Sequence, residues 1–117
     1  MSYTFTLAES FYQGVVYLTL GGEIDLSVSD TLHTVIAGHL STDATAGVVV
    51  DLERVTFLDS SGISALVRGR NLAEQHAVLF RVVNARDKVL EVLELTGLSE
   101  HLGLDEIPAG RDVAEMS

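Results

Sequence analysis

The sequence contains no cysteine, so neither a disulfide framework nor thiolate chemistry is open to it. It holds a single lysine, Lys88, and its 7 basic residues stand against 17 acids, for a formal charge of −10. A duplex partner needs clustered Lys and Arg to neutralise its phosphates, and here the arginines are scattered. Nucleic acid and anionic membrane surfaces are therefore poor partners. The acidity favours solubility and suits docking on a basic patch of another protein, without singling one out. No apolar run approaches the ~20 residues that a membrane-crossing helix needs. The opening MSYTFTLAES has neither a basic n-region nor an apolar h-region, so no secretory leader is expected.

Enzyme signatures are missing as well. Ser60 and Ser61 do not lie in a G-x-S-x-G elbow, because Phe57 to Gly62 reads F-L-D-S-S-G. No G-x-x-x-x-G-K-[ST] loop is present, and Lys88 is too isolated to serve as a phosphate-binding lysine. His33 and His39 are six apart and point to different helix faces, while His76 and His101 stand alone; none forms a metal pair. Asp51 follows a buried strand, as the phosphate-accepting aspartate of a receiver does, yet lacks the acid pair and lysine of that chemistry. No catalytic residue, metal site or cofactor is expected.

What is present is one globular domain over 1–117. At this length the chain buries about two-thirds of the surface its unfolded form exposes. Its organising stretch is VVVDLERVTFLDSSGISALV, Val48 to Val67. Val48, Val49 and Val50 read as a strand buried on both faces, and Val55 to Leu58 is a second apolar patch. Beyond Asp59-Ser60-Ser61-Gly62 the period changes, with Ile63, Leu66 and Val67 at helical spacing over about Ser60 to Glu74. Asp59 or Ser60 suits the N-cap, and on capping preference alone the tetrapeptide need be nothing more.

Around this stretch, Tyr3 to Ala8 alternates as a half-exposed strand, and Phe11 to Gly14 is a turn. Val15 to Leu20 is a second strand that Gly21-Gly22 ends, followed by a loop carrying Glu23 to Leu26. Ser27-Val28-Ser29-Asp30 has the form of a capping box for a helix running to Ser41. A strand over Ala77 to Val83 follows, then a helix over Ala85 to Thr96 capped by Asn84 and ended by Gly97 at C′. Leu104 to Ile107 reads as a short strand by pattern, and Asp112 to Met116 as a weak helix. The order β-β-α-β-α-β-α-(β)-(α) predicts an α/β domain with a mostly parallel or mixed sheet.

The stretch VTFLDSSGISALV resembles the signature of the anti-sigma-factor antagonists, bacterial regulators built on a STAS domain. Gly22-Glu23-Ile24-Asp25 and Leu95-Thr96-Gly97-Leu98 fall where that family has its own segments, in one register from about Tyr3 to Leu104. The resemblance implies a single STAS-type domain with a four- to five-stranded mixed sheet and helices packed mainly on one face. It implies a cytoplasmic protein that binds an anti-sigma factor, itself a serine kinase, and so frees the sigma factor. The serine after the motif aspartate, here Ser60, is the implied phosphorylation site that switches binding off, and a phosphatase would reverse it. Asp25, Asp59, Ser61 and Gly62 form its implied neighbourhood and partner surface, with Asp25 in an exposed loop. A subunit of a transporter or lipid-trafficking ATPase, binding without any switch, is the alternative; the intact Asp-Ser-Ser-Gly speaks for the regulator.

Overall fold

The computed structural model describes residues 5–95 together with Leu104 and Asp105. Five strands form one sheet in the order β1-β2-β3-β4-β5: Thr6–Tyr12, Val15–Ile24, Gly47–Leu58, Leu79–Val83 and Leu104–Asp105. The first pair is antiparallel and the others are parallel. Helices α1 (Leu26–Leu40), α2 (Ser60–Gln75) and α3 (Asp87–Leu95) fill the three crossovers. Each crossover steps to the next strand in the same direction, so right-handed connections put all three helices on one face.

That face is the core. Val16 and Leu18 lie in register with Val48 and Val50, and Val50 with Val82, all buried. Leu32, Ile36 and Leu40 of α1, Ala65, Leu66 and Ala73 of α2, and Val89 and Leu93 of α3 close over them. Gly69 lets α1 approach α2 closely, since a Cβ there would sit 3.2 Å from Ile36 Cγ2. Truncating one of these leucines typically costs about 2–5 kcal/mol. On the opposite face Tyr17, Val49 and Asp51 are half-buried, and Thr19 and Arg81 are exposed.

Several boundaries differ from the sequence-based expectation. The first strand runs on through Phe11 and Tyr12, because Gln13 and Gly14, at φ 50° and 82°, make a two-residue hairpin turn of the type that matches strand twist. Tyr3 and Thr4 lie outside the described residues. Further along, β2 continues through Gly21-Gly22 to Ile24, and Val48 to Leu58 belongs to one strand rather than two patches. The two long strands satisfy each other's backbone groups as far as the Ile24–Leu58 pair, with register shifts on either side of Gly21-Gly22 absorbing the irregularity.

Strand β4 starts at Leu79 instead of Ala77. Ala77 adopts φ 58° and ends α2 by donating to the Glu74 carbonyl, while Val78 donates to that of Ala73. The third helix starts at Asp87, not Ala85, its first turn bonding to the Arg86 carbonyl, so the buried Asn84 is not its cap. Strand β5 covers Leu104 and Asp105 of the expected Leu104–Ile107. Thr96, Gly97, Leu98, Ile107 and Asp112 to Met116 lie outside the described residues.

Candidate functional site

The site grows from the end of the β2–β3 pair. Ile24 and Leu58 are partners in a parallel ladder, so the residues after them, Asp25 and Asp59, leave the sheet side by side. Both have extended backbones, and both cap the helix that follows. The Asp59 amide donates to the Ile24 carbonyl at 3.3 Å, tying the two exits together.

Asp59 Oδ1 accepts from the backbone N–H of Ser61 at 2.9 Å and of Gly62 at 3.1 Å, satisfying two of the donors a helix start leaves open. Asp25 Oδ1 accepts from the Ser27 amide at 2.9 Å and the Ser27 hydroxyl at 2.6 Å. The Ser27 hydroxyl holds the Asp25 carboxyl below the usual carboxylate range, outweighing the opposing effect of desolvation. Asp25 is therefore the N-cap of α1, where the capping-box pattern pointed to Ser27 and the chain through Leu26 read as loop. The strand end at Ile24 decides: helix bonds begin where the ladder stops, and the amides of Val28 and Ser29 already donate to the Asp25 carbonyl.

Ser60 is the first residue of α2 and is exposed; its hydroxyl has no hydrogen-bond partner among the described residues. The first turn of α2 is pressed onto the strand ends by Gly62. A Cβ there would lie 2.5 Å from Leu58 Cδ1 and 2.9 Å from the Ile24 carbonyl oxygen. Hence the motif's glycine keeps the serines at the joint between sheet and helix; it sits inside the first helical turn and does not close a loop. Ser61 is half-buried beside it.

A groove of about 280 Å³ runs between the two helices, with Ser29 and Asp30 on one wall and Ser60, Ser61, Ser64 and Arg68 on the other. Leu26 contributes to its rim and is 71% exposed, while Phe57, one residue before the paired strand end, is 47% exposed. Asp25 and Asp59 do not line the groove. Sequence reasoning brought Asp25, Asp59, Ser60, Ser61 and Gly62 to one place, and the structure does so as well. It passed over Leu26, Phe57 and Arg68. Arg68 follows Ser60 and Ser64 at steps of four, a helical stripe that spacing alone could have flagged. Among the described residues, no group of three His, Asp or Glu gathers as a metal cluster, and no helix is long and apolar enough to cross a membrane.

Comparison with known proteins places the family and the fold. The STAS domain model matches residues 8–115. The anti-sigma-F factor antagonist RsfB of Mycobacterium tuberculosis is 34% identical over 99 residues, 85% of this chain and 78% of that protein. The anti-sigma-B factor antagonist of Staphylococcus aureus is 26% identical over 101 residues, 86% and 89% of the two chains. The chain belongs to the STAS domain family and, within it, to the anti-sigma-factor antagonists. Its fold matches the antagonist SpoIIAA in unphosphorylated form, with a TM-score of 0.79 at 20% identity over 97% of this chain and 96% of that one. The phosphorylated form of Bacillus SpoIIAA matches at 0.75 and 19%, over 97% and 100%. Transporter proteins share the fold too, at 22% identity, so fold alone does not separate a regulator from a transporter-attached domain.

Proposed function

We propose that this protein is a phosphorylation-controlled antagonist of an anti-sigma factor. In its unmodified form it binds an anti-sigma factor that is also a serine kinase, which then releases the sigma factor. Phosphate on Ser60 ends the binding, and a phosphatase restores it. The observation that carries the reading is the state of Ser60: an exposed, unengaged hydroxyl at the first position of a helix, held at a rigid joint beside a groove. A kinase can reach it without unfolding anything. The existence of SpoIIAA in both phosphorylated and unphosphorylated forms supports the same reading. The intact Asp-Ser-Ser-Gly favours this over a transporter subunit that binds without a switch.

The switch acts at the interface. Locally a phosphate at a helix start meets the positive end of the helix dipole, a gain of about 0.3–1 kcal/mol at an exposed site, although Asp59 already takes the Ser61 and Gly62 amides. Repulsion from Asp59 and Asp25 opposes this and is screened by solvent. Against a desolvated partner surface nothing offsets a group of roughly −1.5 to −2 charges. Exposed Leu26, on the groove that Ser60 lines, and exposed Phe57, near the end of β3, are apolar anchors such an interface can use, and the acidic chain suits a basic partner face.

A pull-down with the purified cognate kinase, comparing wild type with Ser60→Asp, tests this. Binding falls by at least ~100-fold, which is about 2.7 kcal/mol, while the melting temperature moves only a few degrees. Unchanged binding by a folded Ser60→Asp protein would remove the switch from Ser60.

A further inference from the structure

We propose that Arg68 is the positioning residue for the phosphoryl group on Ser60, drawing it along α2 into the groove against α1. The inference rests on Ser60 as the acceptor and adds the chain's own counter-charge to it. Arg68 is the one basic residue among those lining the groove. It is exposed, and its guanidinium makes no ion pair among the described residues, whereas Arg70 one turn short of Glu74 is paired at 3.6 Å.

The geometry favours the contact. Ser60, Ser64 and Arg68 follow one another at steps of four on α2 and line the same wall. Eight positions span about 12 Å along a helix axis. Side chains on a helix lean toward its N-terminus, so the long arginine stem covers part of that distance from one end. A phosphoserine at position 60 leans the same way, so the span is closed from the Arg68 side, with Ser64 as the step between. Ser64 lies between them with an exposed hydroxyl that can donate to the same oxygens. A guanidinium is the side chain best matched to a phosphoryl group, since its planar fork gives two parallel charge-assisted bonds.

Modification then does two things at the docking face. It adds a dianion, and it engages the groove's cation, so that the groove is occupied from within. The acids facing the phosphate are Asp30 on α1 and the two caps, Asp25 and Asp59, each of which raises its second pKa. The positive end of the α2 dipole lowers it, and Arg68 is the groove's one charged side chain that does the same.

The test installs phosphoserine at position 60 by genetic encoding, so that no kinase chooses the site, and follows the phosphorus resonance through a pH titration. Free phosphoserine has its second pKa near ~6. In the wild-type background the value lies below that in Arg68→Gln by roughly 0.3–0.7 pH unit, the size an exposed charge pair gives. Arg68→Lys recovers part of the shift, and raising the salt toward 1 M shrinks it. Melting temperatures of the three proteins coincide. Titration curves that agree within about 0.1 pH unit between wild type and Arg68→Gln overturn the inference. So does a loss of partner binding by unphosphorylated Arg68→Gln with no change in the titration, which makes Arg68 a contact for the partner instead. A kinase that modifies another residue defeats the Ser60 reading and leaves this titration as it stands, so the two failures are distinguishable.

Discussion

Helices α1 and α2 start at neighbouring positions, each capped by the aspartate that follows one half of the Ile24–Leu58 pair. In both, the cap's Oδ1 accepts from the backbone N–H two residues on, at 2.9 Å. From there they diverge. Behind Asp25 come Leu26, Ser27 and Val28; behind Asp59 come Ser60, Ser61 and Gly62. The Ser27 hydroxyl is spent on its own cap, whereas Asp59 is satisfied by two backbone amides and the Ser60 hydroxyl has no partner among the described residues. At the third position α1 carries a valine, and α2 carries a glycine that no larger residue can replace without moving Ile24 or Leu58. One start is a finished structural cap with an apolar tip. The other is the same cap with a nucleophilic hydroxyl held out on a stiff joint. A hydroxyl becomes available for modification when something else has already done its capping.

The two starts separate most sharply under substitution at that third position. Gly62→Ala forces a methyl into Leu58, Ile24 Cγ2 and the Ile24 carbonyl, and costs about 1–3 kcal/mol in a denaturant titration. Val28→Ala only trims a half-buried side chain of α1 and costs less. If Gly62→Ala were neutral, the tight joint at α2 would not exist. Next in size, Asp59→Ala removes the acceptor for two amides and lowers stability by about 1 kcal/mol. Asp25→Ala lowers the melting temperature as well, since Asp25 is a cap and not a free loop acid. A melt of Asp25→Ala that overlays wild type would contradict that role.

The smallest effect lies in pH. Asp25 has a folded pKa below its unfolded value near ~3.9. Its contribution is therefore in place above about pH 4 and is lost as pH falls through the lower folded value. Ser27→Ala removes the largest cause of the lowering and flattens this part of the acid limb, as melting temperature against pH will show. Ser61→Ala, whose hydroxyl does not bond its cap, leaves the limb as it was.

Much of the core was legible because it follows period. Val48 to Val50 against Val16 and Leu18, and the helix from Ser60, are patterns that burial alone imposes. Two of the misplaced boundaries turn on tertiary partners. Gly21-Gly22 looks like a break, yet a parallel neighbour carries the strand through it. Ser27-Val28-Ser29-Asp30 is a sound capping box in isolation, and loses to Asp25 because the ladder ends at Ile24. Ala77 ends α2 in a left-handed conformation that favours glycine, so no local signal marked it. At the site, Asp59, Ser60 and Gly62 were visible as a motif, but the reason for Gly62 is a contact with residues 38 and 4 positions away. Leu26 and Arg68 matter only once two helices share a groove, which no single stretch of chain reveals.

The claim at the centre is that, of the hydroxyls around the paired helix starts, Ser60 is the one that takes the phosphate. Incubation with the cognate kinase and ATP, followed by mass mapping of the modified peptide, tests it directly. One phosphate on Ser60 is the expected result, with Ser27 and Ser61 unmodified and with Ser60→Ala unlabelled. Phosphate on Ser61 or Thr56 with Ser60 untouched would contradict it.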